Sequence, residues 1–335
     1  MWTLKNHTPY TVDGMWGRDR DGAHQWIVAV KATYRLQPGL SPGAVPELAP
    51  EQLPPLIAAE YHGEAGLSSL RYDADLIGAK PTTDIIVNGS AHAPGGRANA
   101  DFEVGMRVGS VRKSLQVRGN RRWGDGLLSS AEPVLQVPIV YERAYGGYDH
   151  AAPDTADHRI DLRNPVGCGV VADTRRREGQ LMPNFEYPDG RLEKAGPAGF
   201  GAIDVHWSPR REWAGTYDEA WQRDRLPLLP QDWDLRSLLC APADQRPETH
   251  LRGSEAVELT HLTPSGRLSF TLPRVRLGFS TRIDTRIEEH RAELTSVIIE
   301  PDAQRLIMVW TTALTCRSDV DYLEYTIVRE KASIQ

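Results

Sequence analysis

Between Pro138 and Gly253 the chain runs for more than a hundred residues with hardly a regular apolar period. Glycine, proline and tryptophan punctuate it instead, and this limits what the stretch can become. Without a repeating ladder, its backbone has to be fixed by individual turns and side-chain hydrogen bonds. A loop region this long in a compact protein is either functional or disordered. Four of the nine tryptophans lie within it, and disordered segments are poor in aromatic residues. The stretch therefore reads as ordered.

Composition narrows the class. The 335 residues are 40% hydrophobic and 25% charged, with a net charge of -6, which fits a globular protein with a substantial core. Net acidity excludes a non-specific nucleic-acid binder, which needs a basic face. The pairs Arg121-Arg122 and Arg210-Arg211 and the run Arg175-Arg176-Arg177 each have acidic neighbours. They read as solvated turns or ion-pair partners. Cys168, Cys240 and Cys316 are odd in number and more than seventy residues apart, so neither a disulfide framework nor a zinc site is expected. Ten scattered histidines offer no metal pair, and no cofactor is expected. The first residues lack a signal-peptide pattern, and no apolar run approaches ~20 residues. These features predict a cytoplasmic protein without membrane insertion.

The two ends are patterned for strands. Tyr10 to Trp16 and Trp26 to Leu36 flank the turn signal Asp21-Gly22 and read as a hairpin. Phe102, Val104, Met106 and Val108 alternate strictly with polar residues or glycine, and Leu115 and Val117 continue the pattern. Ser41 to Pro55 holds five prolines and reads as a surface excursion. Near the end, Leu268 to Leu272, Val275 to Phe279, Val297 to Ile299, Leu306 to Leu314 and Tyr322 to Val328 read as strands, with Pro301-Asp302 at a hairpin connection. The expected fold is mainly β: a large antiparallel β-sandwich-like domain over residues 1–335 with one or two short helices. Its parts are N-terminal strands (1–137), an irregular motif-rich insertion (138–254) and C-terminal strands (255–335), and the two ends pair with each other. One helix should start at a capping box, Thr216 with Glu219, and run from Tyr217 to Asp224. A second could cover Glu51 to Ala59.

Chemical motifs in the middle each meet a plainer explanation. Gly167-Cys-Gly169 has the spacing of a dinucleotide-binding turn, but no strand precedes it and no helix follows. Glu142, Glu186, Asp232, Asp234 and Asp244 could supply the carboxylate pair of a cell-wall-directed hydrolase. Structural duties compete: Asp232 could cap a short helix from Trp233 to Leu239, and Asp244 could tie down neighbouring amides. Tryptophans and Tyr145-Gly146-Gly147-Tyr148 could stack on sugars, as in a carbohydrate-binding module, although aromatics beside Gly and Pro more often plug a loop onto the core.

One ordered series of blocks runs through the chain. It begins with Asn6-His-Thr-Pro9 and Lys31-Ala-Thr33. It is densest in Arg143-Ala-Tyr-Gly-Gly147, Asn164-Pro-Val-Gly167, Pro183-Asn-Phe-Glu186, Pro197-Ala-Gly-Phe-Gly201 and Trp207-Ser-Pro-Arg210. Gly215-Thr-Tyr-Asp-Glu219, Trp221, Pro227-Leu-Leu-Pro230, Ala241-Pro-Ala-Asp-Gln245 and Leu251-Arg-Gly253 complete it. The series resembles a bacterial family found in type VI secretion clusters, whose members are chaperones or adaptors that hold a toxic effector and help load it onto the secretion spike. Trp233 stands where that family has phenylalanine, and Cys168 where it is often basic. The resemblance implies a non-enzymatic protein that binds the N-terminal region of its effector and touches the spike or its tip. It supplies no catalytic residues.

Most block residues read as fold maintenance: Gly146, Gly147, Pro165, Gly167, Pro183, Gly199, Gly201, Trp207, Thr216, Glu219 and Trp221. The polar or amphipathic Arg143, Tyr145, Asn164, Glu186, Arg210 and Asp244 are the candidates for partner contact. The net acidity would suit a basic effector segment.

Overall fold

The computed structural model describes residues 2–124, 127–149, 154–171, 178–316 and 320–331. The chain is mainly β, with three sheets of four or more strands and three short helices among the described residues. The six-stranded sheet has the order Thr11–Arg18, His24–Arg35, Arg305–Cys316, Glu293–Glu300, Asp84–Val87, with Glu47–Leu48 attached to the end of His24–Arg35. The five-stranded sheet runs Phe185–Glu186, Val111–Arg118, Asp101–Val108, Ala256–Thr260, Arg267–Thr271. In the four-stranded sheet Thr3–His7 lies parallel to Leu323–Glu330, followed by Leu277–Ile283 and Arg286–His290. The two ends thus share every one of these sheets, and the irregular middle adds a single two-residue strand to them.

Side-chain alternation shows what each sheet face meets. Val28, Val30 and Ala32 join Val104, Met106, Phe279 and Val328 in one core between the sheets. On the opposite face of the six-stranded sheet, Ile27, Ala29, Ile298 and Ile307 meet Leu70, Tyr72, Ala202 and Ala241. That sheet is therefore covered on both sides, which is why Trp26 to Tyr34 is buried without interruption. A strand buried on both faces loses its polar alternation. In Asp101–Val108 and Val111–Arg118 the period of two survives because only one face is covered.

Several expectations need correction. Glu51 to Ala59 forms no helix. Pro54 and Pro55 lack amide donors, and Gln52 instead lends its side-chain amide to Thr33, with Nε2 donating to the carbonyl and Oε1 accepting from the amide, both at 2.9 Å. The helix in the middle spans Glu219–Asp224 and its cap is Asp218, whose carboxylate accepts from the Trp221 amide at 2.8 Å. Thr216 takes no part: its hydroxyl donates to Asp232 at 2.7 Å. An aspartate one residue from the helix accepts more strongly than a threonine hydroxyl. Asp232 is thereby engaged, and Asp234 caps the turn Leu235–Leu238. The hairpin loop at Asp21-Gly22 is closed by the Asp19 carboxylate, which accepts from the amides of Asp21 and Ala23. Arg175, Arg176 and Arg177 lie outside the described residues.

Candidate functional site

The middle is held by three polar nodes, and each explains several sequence blocks. The first is a clasp around Asn164, which has no solvent exposure. Its Nδ2 donates to the carbonyls of Tyr141 at 2.8 Å and Tyr145 at 3.0 Å. Its own carbonyl accepts from Gly147. Two chain segments approach so closely that a Cβ on Gly146 would lie 2.2 Å from the Asn164 oxygen, and one on Gly147 2.5 Å from the Gly167 oxygen. Both glycines have positive φ, +147° and +103°, so residue type and conformation are dictated together. Tyr145–Gly146 then pairs with Cys168–Gly169 as a two-residue parallel ladder. This close packing accounts for Gly167-Cys-Gly169, the spacing that resembled a nucleotide-binding turn.

The second node is Lys113, which faces inward from its strand and is 6% exposed. Its ammonium donates to Asp244 at 2.8 Å and to Gln245 Oε1 at 2.9 Å, and it sits over the rings of Tyr187 and Phe200. Tyr187 donates to the other Asp244 oxygen at 3.2 Å. Gln245 in turn donates to the carbonyls of Ile85 and Phe200, which satisfies the outer edge of the six-stranded sheet. Asp244 is thus bound to side chains of other segments, where neighbouring amides were expected. Burial pushes the Lys113 ammonium down to about 8, against the pull of Asp244.

Arg210 forms the third node, only 3% exposed. It donates to the carbonyls of Ile203 and Ser237 and pairs with Asp73 at 2.8 Å. Close by in the same layer, Asp84 is fully buried; it accepts from Lys80 at 2.7 Å and from the amides of Cys240 and Ala241. Its carboxyl is held low: burial pushes it up, but Lys80 and these donors outweigh burial.

The six candidate contact residues therefore do not converge on one surface. Asn164 and Arg210 are buried fasteners. Arg143 donates to Asn184 at 3.1 Å and accepts its amide through the backbone. Glu186 pairs with Arg121 and lies 3.8 Å from Arg118. Asp244 belongs to the Lys113 node. Only Tyr145 lines an open groove, of about 790 Å³, together with Ile160, Leu162, Val170 and Met182. Ile160 is 48% exposed and Leu162 40%. The groove is edged by Arg159 and by Arg163, which grips the Asp161 carboxylate through Nε and Nη2 at 2.9 and 2.6 Å.

Other fold-maintenance readings agree with their surroundings. Trp207 packs edge-on against Tyr141 at 5.6 Å, and Gly199 leaves room for that tyrosine ring. The Tyr141 hydroxyl donates to the Gly201 carbonyl. Trp221 donates to the Leu228 carbonyl at 2.8 Å. The sequence reading missed Lys113, Lys80 and Asp84. For Lys113 a signal was present, since it occupies an inward position between Val111 and Leu115 in a period-two strand.

Among known proteins, a family model described as an uncharacterized protein conserved in bacteria (DUF2169) matches residues 21–311. No curated protein and no solved structure matches the chain.

Proposed function

The chain belongs to the bacterial DUF2169 family, and from that premise we propose that it is a non-enzymatic chaperone or adaptor. It holds a toxic effector in the cytoplasm, through the effector's N-terminal region, and assists its loading onto a type VI secretion spike. The sequence blocks that resemble such chaperones motivate the reading. One observation carries it: the clasped backbone around Asn164 presents an open groove with Tyr145, Ile160 and Leu162 available to a passenger. A rigid platform of this kind binds a flexible segment without spending ordering entropy of its own. The cost of ordering the passenger keeps the affinity moderate, which suits later release.

The carboxylates that a hydrolase would use have other partners. Glu186 is paired with arginines, Asp244 with Lys113 and Tyr187, and Glu142 accepts from the Ser69 amide and hydroxyl. No helix among the described residues is long and apolar enough to cross a membrane.

The reading is tested by co-expression and pull-down with the protein encoded by the adjacent gene. Capture is expected, with loss on Ile160→Asp combined with Leu162→Asp while the thermal midpoint stays unchanged. A neighbour that stays soluble and is secreted equally well without this chain would refute it.

A further inference from the structure

A second cavity, of about 530 Å³, opens where Leu277 of the four-stranded sheet faces Leu294 and Trp310 of the six-stranded sheet, with the neighbouring loops around it. Four separate segments bring cations to it: Arg252, Arg274 with Arg276, Arg291, and Lys331. All five are exposed. None takes part in a salt bridge among the described residues. Glu293 is the one carboxylate on the lining, and the nearby Glu255 accepts the Arg252 amide at 2.8 Å. Five cations with no salt bridge among the described residues thus share one hollow of a chain with net charge -6, and their summed field there favours an anion.

The backbone holds this arrangement in place. Gly253 has φ +84°, and a Cβ there would sit 2.4 Å from the Pro273 oxygen. Only glycine lets the Arg252 segment press against Pro273-Arg274. This is the Leu251-Arg-Gly253 block, for which the groove at Tyr145 has no use. Leu251 is anchored behind it, its amide donating to Thr83 at 2.9 Å. On the other side the Lys331 amide donates to the Arg276 carbonyl at 2.8 Å. The Lys331 side chain lies across Gly278, where a Cβ would meet its Cε at 2.2 Å. The floor is apolar, formed by Val275, Leu277, Leu294 and Trp310.

We propose that this cavity binds an acidic peptide segment of a protein partner, with carboxylates on the arginine rim and an aliphatic side chain toward the floor. Guanidinium forks match carboxylates in a bidentate manner. The volume lies within the ordinary range of ligand sites, roughly 300–1,000 Å³. An extended nucleic acid would have to lie along a surface whose overall charge repels it, whereas a short acidic segment need not leave the cavity. The screening length of about 8 Å at physiological salt keeps the local positive field from being cancelled by acids elsewhere. The net charge of the chain points to a basic passenger; the field at this cavity points to an acidic one. The inference rests on the chaperone reading only for the identity of the partner.

The test uses the full chain and a dye-labelled hexapeptide, Glu-Leu-Asp-Glu-Leu-Glu, followed by anisotropy at about 50 mM salt. Its amide analogue Gln-Leu-Asn-Gln-Leu-Gln, oligothymidine and inorganic phosphate serve as competitors. The acidic peptide should bind, weaken as salt rises, and lose about tenfold or more in affinity on Arg274→Glu with Arg276→Glu. Arg267→Glu, at an exposed site on another sheet, should change nothing. If the first double variant is not folded by circular dichroism, Arg252→Glu with Arg291→Glu must produce the same loss. Absence of peptide binding, equal binding by the reversed variants, or equal binding of the amide analogue overturns the proposal. Preferential binding of oligothymidine or phosphate overturns it too. Failure to capture the adjacent gene product while the peptide still binds would sink the chaperone reading and leave this one standing; the converse would do the opposite.

Discussion

Lys113 allows a quantitative check on how the middle is held. Burial lowers its ammonium from the ordinary 10.5 to about 8, although Asp244 lies 2.8 Å away. Below pH 8 the folded and unfolded chains both carry the proton, and the full burial penalty weighs on the folded state. Between pH 8 and 10.5 the unfolded chain still holds a proton that the folded chain has released. Stability therefore rises with pH across that window. At about 1.4 kcal/mol per pH unit, the gain from pH 7 to 9.5 is about 2 kcal/mol. The neutral amine still donates to Gln245, so the node itself survives. Urea unfolding of the wild type and of Lys113→Met, measured over this pH range, isolates the effect, because tyrosines and other groups cancel in the difference. The wild-type advantage should grow by about 2 kcal/mol toward high pH. A difference that stays constant or shrinks would mean that the ion pair with Asp244, and not burial, controls the proton.

Three further outcomes follow from the same geometry. Asn164→Ala removes the donor from two carbonyls, at Tyr141 and Tyr145, and should cost about 2–4 kcal/mol in chemical denaturation; a change near zero would show that the clasp is dispensable. Gly146→Ala places a Cβ against the Asn164 oxygen and should destabilise by ~3 kcal/mol or more, whereas Gly39→Ala, at φ +81° in open space, should cost only ~1 kcal/mol; similar thermal midpoints for the two would refute the close-approach argument. His290, bonded to the hydroxyls of Thr281 and Thr312 at 2.8 Å each, is pushed down to about 4 by burial. The unfolded chain then binds the extra proton between pH 6.5 and 4, so stability falls as pH drops through that range, by about 3 kcal/mol in total. His290→Gln should flatten the acid limb of the stability profile, and an unchanged limb would count against the assignment.

Much of the sheet framework was readable in advance. The Phe102 to Val108 alternation, the Trp26 to Leu36 run and the Pro301-Asp302 connection all correspond to observed strands or turns. Strand signals of this kind depend on residues two apart and on local turn chemistry. The middle was readable as ordered and as dependent on Gly, Pro and Trp. Its partner assignments were not: Thr216 gave way to Asp218 as the helix cap, and Asp244 took Lys113 in place of nearby amides. Side-chain partners here lie far off in the chain, 137 positions for Arg210 and Asp73 and 160 for Gln245 and Ile85, and no local pattern encodes such distances.

Residue order by itself determined where strands and tight turns could form, because alternation and φ preference are properties of neighbouring residues. It also marked which glycines were needed, without saying what they approach. Tertiary packing decided the rest: that Asn164 is a hidden fastener, that Tyr145 faces a groove, and that five cations from four segments gather in one cavity. Charge summed along the chain is negative, but electrostatic energy depends on separation in space, and only folding sets those separations.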